Sequence, residues 1–486
     1  MNQDRYSLID NTAHSSIVQE SGYESTENSD EKPAKFRQYL AAFSATLSAL
    51  AAGTVLAWTS PILNDLENGK YNNIKLDSNQ MGWIGSFVTL GGMAMCIPTG
   101  FICDIIGRKK TLLLLCIPFT LGWLLIIFAN NVLMLYFGRL VTGTAAGACC
   151  IAAPLYTSEI AHKSLRGTLS SYFQLMVTVG IFLGYLVGKY LNALYFTIWC
   201  ACVPFVFVVF FVFQPESPVY LLKRGLFDNA KGVLIILRGS KYKVDAELNE
   251  IEGYLKESGQ ATISLTETFK QGSVIKAFVI SSSLMFFQQF SGVNAVILYT
   301  TDIFKTSGVH LDPKTASIMV GLFQVLATFA ASLVIDKLGR RILLFISALF
   351  VTVNLFLLAI FFTLKYRTDI SDNIIEKLGF IPVGALCLFI IAYSLGLGPI
   401  PWVISSEIFP TEIKSITSST AGTVNWFLAF ILTRFYLQVS DYIGQDSTFY
   451  IFGFASMIGI FFVYIFVPET KGKNILEIQA ALNNNQ

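Results

Sequence analysis

Twelve long stretches of the chain are free or almost free of charged side chains. Each is about as long as the roughly 20 residues that a helix needs to cross a bilayer, and the 486-residue chain is 53% hydrophobic and only 14% charged. None shows the alternating polarity of a membrane-spanning β-strand. The sequence therefore predicts an all-α membrane protein with twelve transmembrane helices, near residues 38–63, 81–103, 111–130, 132–156, 168–188, 190–213, 277–301, 315–335, 342–364, 378–402, 415–437 and 447–467.

Three charged motifs each occur twice, once in each half of the chain. The copies of the first follow the second and eighth spans, and they read Asp104-Ile-Ile-Gly107-Arg108-Lys109 and Asp336-Lys-Leu-Gly339-Arg340-Arg341. After the fourth and tenth spans come Glu159 with Arg166 and Glu407 with Lys414, and after the sixth and twelfth come Pro215-Glu-Ser-Pro and Pro468-Glu-Thr-Lys. Because the order is the same both times, the repeat predicts two similar membrane bundles.

We expect two six-helix bundles, residues 38–213 and 274–467, joined by a polar linker at 214–273 whose charge-rich pattern predicts amphipathic helices. Residues 1–37 are expected to form a disordered tail, and residues 468–486 form a second tail. Lys and Arg in short loops stay on the cytoplasmic side of a membrane. Placing the N-terminus inside leaves about three times as many of them inside as outside. The linker and both termini are therefore predicted to be cytoplasmic.

The composition argues against several other classes of protein. No run of Lys or Arg is long enough for a nucleic-acid patch, and the three histidines fall in separate predicted loops, so neither nucleic acid nor a metal is expected. All eight cysteines lie in predicted spans, where buried free thiols are expected rather than disulfides. No segment has the pattern of a nucleophile with its base or of a phosphate-binding loop. We therefore expect no enzyme, no cofactor and no obligate protein partner.

The repeated charges suggest a gate. A single exposed ion pair contributes about 0–1 kcal/mol, whereas a partly desolvated network at a closing mouth can bias a two-state equilibrium by more. We hypothesise that these groups pair at the cytoplasmic mouth when the protein opens outward and separate when it opens inward. The residues of this predicted gate are Asp104, Arg108, Glu159, Arg166, Asp336, Arg340, Arg341, Glu407 and Lys414.

The motifs together resemble those of the sugar-porter branch of the major facilitator superfamily. Besides the repeats, the resemblance rests on Phe137-Gly-Arg139, Gln288-Gln289-Phe-Ser-Gly-Val-Asn294, Gly398-Pro-Ile-Pro-Trp402 and Pro468-Glu-Thr-Lys-Gly472, and it covers about residues 38–475. Within that branch the chain is most similar to the insect facilitated trehalose transporters and more distantly to the animal glucose facilitators. The resemblance implies the twelve-helix major facilitator fold, one central sugar site and alternating access.

A neutral sugar needs amide side chains that both donate and accept hydrogen bonds, and aromatic faces for its C–H surfaces. Amides inside a bilayer tend to face a cavity or a bundle interior, although any single one, Gln324 in particular, could instead make an interhelical hydrogen bond. With the help of the resemblance, we predict the substrate-binding residues to be Gln174, Gln288, Gln289, Asn294, Gln324, Trp402 and Asn425. Trp426 could lie near the sugar or face lipid.

Three further residues are predicted to take part in gating. Tyr299 matches a tyrosine that closes the outer gate in the family. Pro399 and Pro401 remove two backbone donors from the tenth helix, which is therefore expected to be kinked, and broken helices at a transporter's midplane serve as hinges. Leu298 stands where the glucose facilitators have a second tyrosine, and Ser394 where they have a carboxylate, so the resemblance carries glucose specificity over less strongly.

On these grounds we predict passive transport of trehalose or a related sugar across the plasma membrane by a multi-pass protein. Val55 stands where proton-coupled sugar porters have an acid, and no Asp or Glu lies deep in a predicted span. A hexose facilitator, a proton-coupled sugar symporter and a non-transporting sugar sensor remain as alternatives. The expected ligands are a small sugar and the surrounding lipid.

Overall fold

The computed structural model describes residues 33–260, 271–308, 311–368, 375, 377–409, 413–471, 473 and 475–484. These residues form helices joined by short turns, and no strand occurs among them. Twelve of the helices are long: α1 Phe36–Glu67, α2 Ser78–Ile106, α3 Arg108–Ile127, α4 Val132–Ile160, α5 Arg166–Tyr190, α6 Ala193–Phe211, α7 Gly272–Ser307, α8 Pro313–Leu338, α9 Arg340–Arg367, α10 Phe380–Glu407, α11 Lys414–Ile443 and α12 Gln445–Phe466. We call α1–α6 the first half and α7–α12 the second half.

Eleven helices in the described part of the chain are long and apolar enough to cross a membrane. The remaining long helix, α11, has 30 residues, but most positions in its first two turns are Ser or Thr, which makes it less apolar than the others. The prediction of an all-helical fold is therefore confirmed, and its membrane-length helices are confirmed for eleven of the twelve predicted spans.

Several helices are longer than the sequence predicted. Glu159 and Glu407 were expected to follow helices that end at residues 156 and 402, but they lie in the last turns of α4 and α10. Likewise α7 continues beyond residue 301 to Ser307 and so includes Asp302 and Lys305. A charged residue at a helix end can reach the aqueous boundary while its backbone stays helical. The predicted helices ended too early because each was ended before the first charged residue.

Four of the long helices are interrupted. α1 is divided at Trp58, α3 at Leu115, α7 at Ser291 and Gly292, and α10 by the π-helical turn Tyr393–Leu397, Gly398 and Pro399. Gly292 has φ +82°, and a Cβ there would lie 2.5 Å from the ring of Phe452, so the break in α7 needs glycine. The predicted kink at Pro399 and Pro401 is present, because proline cannot donate the backbone hydrogen bonds that a regular helix needs.

Four shorter helices accompany the long ones in the described part of the chain. Pro218–Lys223, Phe227–Arg238 and Val244–Gln260 follow α6 and lie against the first half. Arg238 anchors them, because its guanidinium donates to Glu247 at 2.7 Å and to the Ile160 carbonyl at 2.8 Å. The last, Ile475–Asn484, packs on α7 within the predicted tail 468–486. At the other end α1 begins at Phe36, inside the predicted tail 1–37, whose residues 1–32 lie outside the described part.

Each copy of the repeated Asp-x-x-Gly-Arg motif forms a turn of one residue between two helices. Gly107 joins α2 to α3 with φ +98° and ψ 161°, and Gly339 joins α8 to α9 with φ +89° and ψ 156°. This region of backbone space is open almost only to glycine. We call the end of the molecule that holds these two turns the motif face, and the other end the opposite face.

A glutamate from the Pro-Glu-Ser/Thr motif caps each turn. Glu216 accepts hydrogen bonds from the backbone N–H groups of Arg108 at 3.1 Å and Lys109 at 3.0 Å. Glu469 accepts in the same way from Arg340 at 3.0 Å and Arg341 at 3.1 Å. The first N–H groups of a helix have no partner within it, and a carboxylate also suits the positive end of the helix dipole. The first and third repeated motifs therefore form one structural unit in each half.

We predict that Gly107→Ala destabilises the protein by about 1–3 kcal/mol, the cost of holding a residue with a Cβ in this conformation. The added Cβ would also lie 2.5 Å from the Glu216 carboxylate. Gly232→Ala is the matched control, because Gly232 is helical and has open space around it. Thermal unfolding of the detergent-solubilised protein measures both variants. Equal midpoints for the two would contradict this account of the turn.

Candidate substrate site

Four of the predicted sugar-binding amides form one chain of hydrogen bonds at the breaks in α7 and α10. Asn294 donates to Gln289 at 2.6 Å, and Gln289 donates to Asn425 at 2.9 Å. Asn425 in turn donates to Gln288 at 2.6 Å. Gln288 ends the chain by donating to the carbonyls of Leu397 and Gly398 at 2.9 and 2.6 Å. The chain thus joins both parts of α7, α11 and the π turn of α10.

The breaks in the helices explain why amides collect here. The irregular turn in α10 frees backbone carbonyls that no solvent reaches in a bilayer, so side chains must satisfy them. Gln288, Gln289 and Asn425 are buried and Asn294 is half-buried, and a buried amide without a partner would cost about 1–3 kcal/mol. Each amide both donates and accepts, so this chain of amides offers the kinds of group that a sugar hydroxyl can pair with.

The other three predicted substrate residues do not join this chain. Gln324 is buried in α8, and its Oε1 has no hydrogen-bond partner among the described residues. Gln174 is half-buried in α5. Trp402 is 36% exposed, and its ring lies 3.6 Å from where a Cβ on Gly422 would stand. Gly422 is about one helical turn from Asn425 in α11. The aromatic ring is therefore close to the amide chain without contacting it.

Tyr299 lies where α7 meets both α11 and the first half. It is fully buried, its ring stacks on Tyr436 with centroids 5.3 Å apart, and its hydroxyl donates to the Thr433 carbonyl at 3.3 Å. A Cβ on Gly85 of α2 would lie 2.6 Å from this hydroxyl. Trp426, which the sequence left open, packs on Gly92 of the same helix. Both aromatic residues therefore occupy the seam between the two halves.

Polar contacts between the halves concentrate on the opposite face. Ion pairs join Glu67 to Lys305 at 3.2 Å and Lys189 to Asp312 at 3.5 Å. Hydrogen bonds also join the halves at this face: Ser60 with Thr301 at 2.9 Å, Tyr185 with the Ile297 carbonyl at 2.6 Å and the Arg434 guanidinium with Asn79 at 2.7 Å. Within the second half, Thr315 donates to the Asp312 carboxylate. Burial acts to raise the pKa of that carboxyl, but these hydrogen bonds and the nearby Lys189 ammonium lower it overall. The opposite face is closed in this conformation.

On the motif face the charges pair within each half. Arg108 binds Glu159 at 2.9 Å and Asp104 at 3.0 Å, and Arg340 binds Glu407 at 3.2 Å. The Thr470 hydroxyl donates to Glu407 at 2.5 Å, and the Ser217 hydroxyl donates to Glu159. No ion pair between described side chains joins the two halves at this face. The contacts among the described residues therefore differ on the two faces: ion pairs cross between the halves on one face and stay within a half on the other.

The other four residues of the predicted gate are Arg166, Asp336, Arg341 and Lys414. The side chains of Asp336 and Lys414 lie outside the described residues. Arg166 is exposed at the start of α5, without an ion pair to a described carboxylate. The Arg341 side chain donates to the Tyr464 carbonyl rather than to a carboxylate.

The sequence analysis assigned no role to two sets of residues that make structural contacts, the Pro-Glu-Ser/Thr motifs and Arg139. Glu216, Ser217, Glu469 and Thr470 hold the clusters around Arg108 and Arg340, and the repeated Pro-Glu-Ser/Thr motif was the signal that could have shown it. Burial acts to raise the pKa of Glu469, but the backbone N–H groups that it accepts from lower it overall.

Arg139, which the sequence analysis named only as part of the Phe137-Gly-Arg139 motif, holds the break in α1. It is fully buried and donates to the Val55 carbonyl at 2.9 Å and the Thr59 hydroxyl at 3.0 Å.

The two halves, their broken helices and the buried amides at the breaks of α7 and α10 define an integral-membrane transporter. The family model described as "Sugar (and other) transporter" matches residues 20–482, so the chain belongs to this sugar transporter family, whose members are not enzymes. The resemblance inferred from the motifs is therefore confirmed.

Three comparisons show the extent of the similarity. The chain is 35% identical to the facilitated trehalose transporter Tret1 of Polypedilum vanderplanki, over 91% of this chain and 88% of that protein. It is also 35% identical to the facilitated trehalose transporter Tret1-2 homolog of Drosophila sechellia, over 91% and 90%. Its fold is similar to that of the MFS proton:xylose symporter XylE, with a TM-score of 0.75, 24% identity and coverage of 92% and 99%. The chain therefore has the major facilitator fold.

We predict that Asn425→Leu weakens sugar binding about tenfold or more, because Gln288 and Gln289 each lose a buried partner worth about 1–3 kcal/mol. Asn354→Leu is the control, since Asn354 is a buried amide in α9 that donates only to the Phe350 carbonyl of its own helix. Binding of labelled sugar to the purified proteins, with thermal unfolding as a check on folding, gives the comparison. An Asn425→Leu protein that folds and binds sugar like the control would contradict the assignment.

Proposed function

We propose that this protein is a facilitative transporter that moves trehalose or a related sugar across the plasma membrane by alternating access. The observation that carries the proposal is the chain of amides from Asn294 to the Gly398 carbonyl. It crosses the protein interior at two broken helices and offers neutral hydrogen-bonding groups, which suit a neutral solute with many hydroxyls. The two trehalose transporters to which the chain is similar support trehalose as the first candidate substrate.

In this proposal the two halves, residues 38–213 and 274–467, rock about the amide chain. The motif face is cytoplasmic, as the excess of Lys and Arg there indicates, and so are both termini. The cross-half contacts on the opposite face then belong to an inward-facing state. In the outward-facing state we expect the clusters around Arg108 and Arg340 to approach each other and close the cytoplasmic mouth.

Gln174, Gln324 and Trp402 complete the proposed sugar site. The free Oε1 of Gln324 is an acceptor for a sugar hydroxyl, and Trp402 offers an aromatic face next to Asn425. Tyr299 acts as the outer gate, since it fills the seam at Gly85. Pro399 and Pro401 allow the second part of α10 to change its angle.

Passive transport is favoured over proton coupling by the residues of α1. Val55 occupies the position of the acid in coupled relatives, and it is completely buried. The sequence predicted no acidic residue deep in a span, but α7 is longer than predicted and includes Asp302. This residue lies near the opposite face, two residues beyond Thr300, and not beside the amide chain. A coupled symporter remains the alternative because an acid at this place could titrate during gating.

Uptake into proteoliposomes tests the proposed function. We expect the full-length protein to equilibrate labelled trehalose across the vesicle membrane. The final level of trehalose inside should not change when an inward proton gradient is imposed or collapsed, because no proton moves with the sugar. Vesicles with Asn425→Leu protein serve as the control. Accumulation above equilibrium with the proton gradient would establish a symporter, and uptake of glucose without trehalose would establish a hexose facilitator.

A larger side chain at Gly85 tests alternating access directly. Gly85→Val places methyl groups where the Tyr299 hydroxyl lies, 2.6 Å from the new Cβ, so the opposite face cannot close and transport should fall at least about tenfold, the effect of about 1.4 kcal/mol. Gly384→Val is the control, because Gly384 has open space around it in α10. Labelling of a cysteine introduced at Thr301 should rise in Gly85→Val alone. Normal transport by this variant would contradict the proposed outer gate.

A further inference from the structure

A groove on the outer surface of the first half lies apart from the transport path. Its walls are the first two turns of α1, the end of α6 and the last turn of the helix Phe227–Arg238, and its lining includes Arg37, Leu40, Phe210, Phe213 and Ile236. Because all three elements end near the motif face, the groove lies where the membrane-length helices reach the boundary of the bilayer. Its position suits a molecule that is partly in hydrocarbon and partly in water.

Most of the groove is apolar and exposed. Phe213 is 83% exposed, Ile236 53% and Phe210 52%. Exposed apolar side chains are expected on α6, which faces lipid, but Ile236 belongs to a helix outside the membrane-length spans. That helix also exposes Phe227 and Ile235, so its apolar face fits a membrane surface better than water. The groove is therefore a surface that an acyl chain can cover.

One end of the groove is positively charged. Arg37 is exposed in the first turn of α1, and no ion pair joins it to a described carboxylate. Lys35 is exposed two residues before it. An arginine presents a planar fork of donors that matches the oxygens of a phosphate. Cationic side chains at the cytoplasmic surface of a membrane each attract anionic lipids by about 1 kcal/mol.

We propose that this groove binds one anionic phospholipid, with its phosphate on Arg37 and one acyl chain across Phe210, Phe213 and Ile236. The lipid bridges α1, α6 and the helix Phe227–Arg238, all of which belong to or lie on the first half. It therefore braces the linker helices against that half while the second half moves. The proposal concerns a lipid site and does not depend on which sugar the protein carries.

Native mass spectrometry of the full-length protein in detergent, titrated with phosphatidylserine or with phosphatidylcholine, tests the proposal. We expect one phosphatidylserine to bind more tightly than the rest, and Arg37→Gln to weaken that binding about fivefold, the effect of one cationic contact. Ile236→Gln should weaken it as well, because it removes part of the apolar wall. Lys110→Gln is the matched control, since Lys110 is an exposed cation at the start of α3 on the same face, outside the groove.

Three results would overturn the proposal. The first is equal retention of phosphatidylserine by the Arg37→Gln and Lys110→Gln proteins. The second is equal binding of phosphatidylcholine and phosphatidylserine to the unaltered chain, which would show ordinary solvation by lipid. The third is displacement of the bound lipid by millimolar inorganic phosphate, which would show a site for small anions. Thermal unfolding of each variant confirms that loss of lipid does not reflect loss of fold.

Discussion

The hydrogen bonds from Gln288 to the carbonyls of Leu397 and Gly398 are the interaction on which the rest of the substrate region depends. In a bilayer a broken helix leaves backbone groups that only the protein can satisfy. Gln288 satisfies those of α10 from α7, and its own Oε1 is then held by Asn425 of α11. The break that would otherwise destabilise α10 thus fixes the position of every amide in the chain.

The second half supplies both the amides and one of the two charged clusters. The charged cluster has a counterpart in the first half, whereas the chain of amides does not. The clusters around Arg108 and Arg340 repeat almost group by group, with a glycine turn, a capping glutamate, an arginine–glutamate pair and a hydroxyl donor in each. The linked amides come only from α7 and α11. Two equivalent clusters suit a gate that closes symmetrically, whereas the linked amides are confined to one half.

Charge-free length and repetition made the architecture predictable. A run of about 20 apolar residues leaves few alternatives to a spanning helix, and a motif that recurs in order implies two related halves. Helix ends were less predictable, because Glu159 and Glu407 remain in helical turns despite their charge. That Gln288, Gln289, Asn294 and Asn425 would gather in one candidate site could be inferred from the sequence, since amides are rare in hydrocarbon.

The partners of these residues could not be inferred from the sequence alone. The contact of Gln288 with the Gly398 carbonyl depends on how α7 and α10 cross, and the stacking of Tyr299 on Tyr436 depends on the placement of α11. The cap that Glu216 provides for Arg108 joins residues far apart in the chain. Such contacts depend on how the helices pack, and the local sequence pattern of each helix does not predict this packing.

The central claim is that the two halves move as units about the amide chain, so that one face closes when the other opens. Distances between spin labels measure this most directly, with one pair at Lys110 and Lys337 on the motif face and another at Asn192 and Tyr442 on the opposite face. We predict two populations, in which a longer distance on one face accompanies a shorter distance on the other, and a change in their ratio when trehalose is added. Distances that stay single and unchanged on both faces, in protein shown to transport sugar, would contradict the claim.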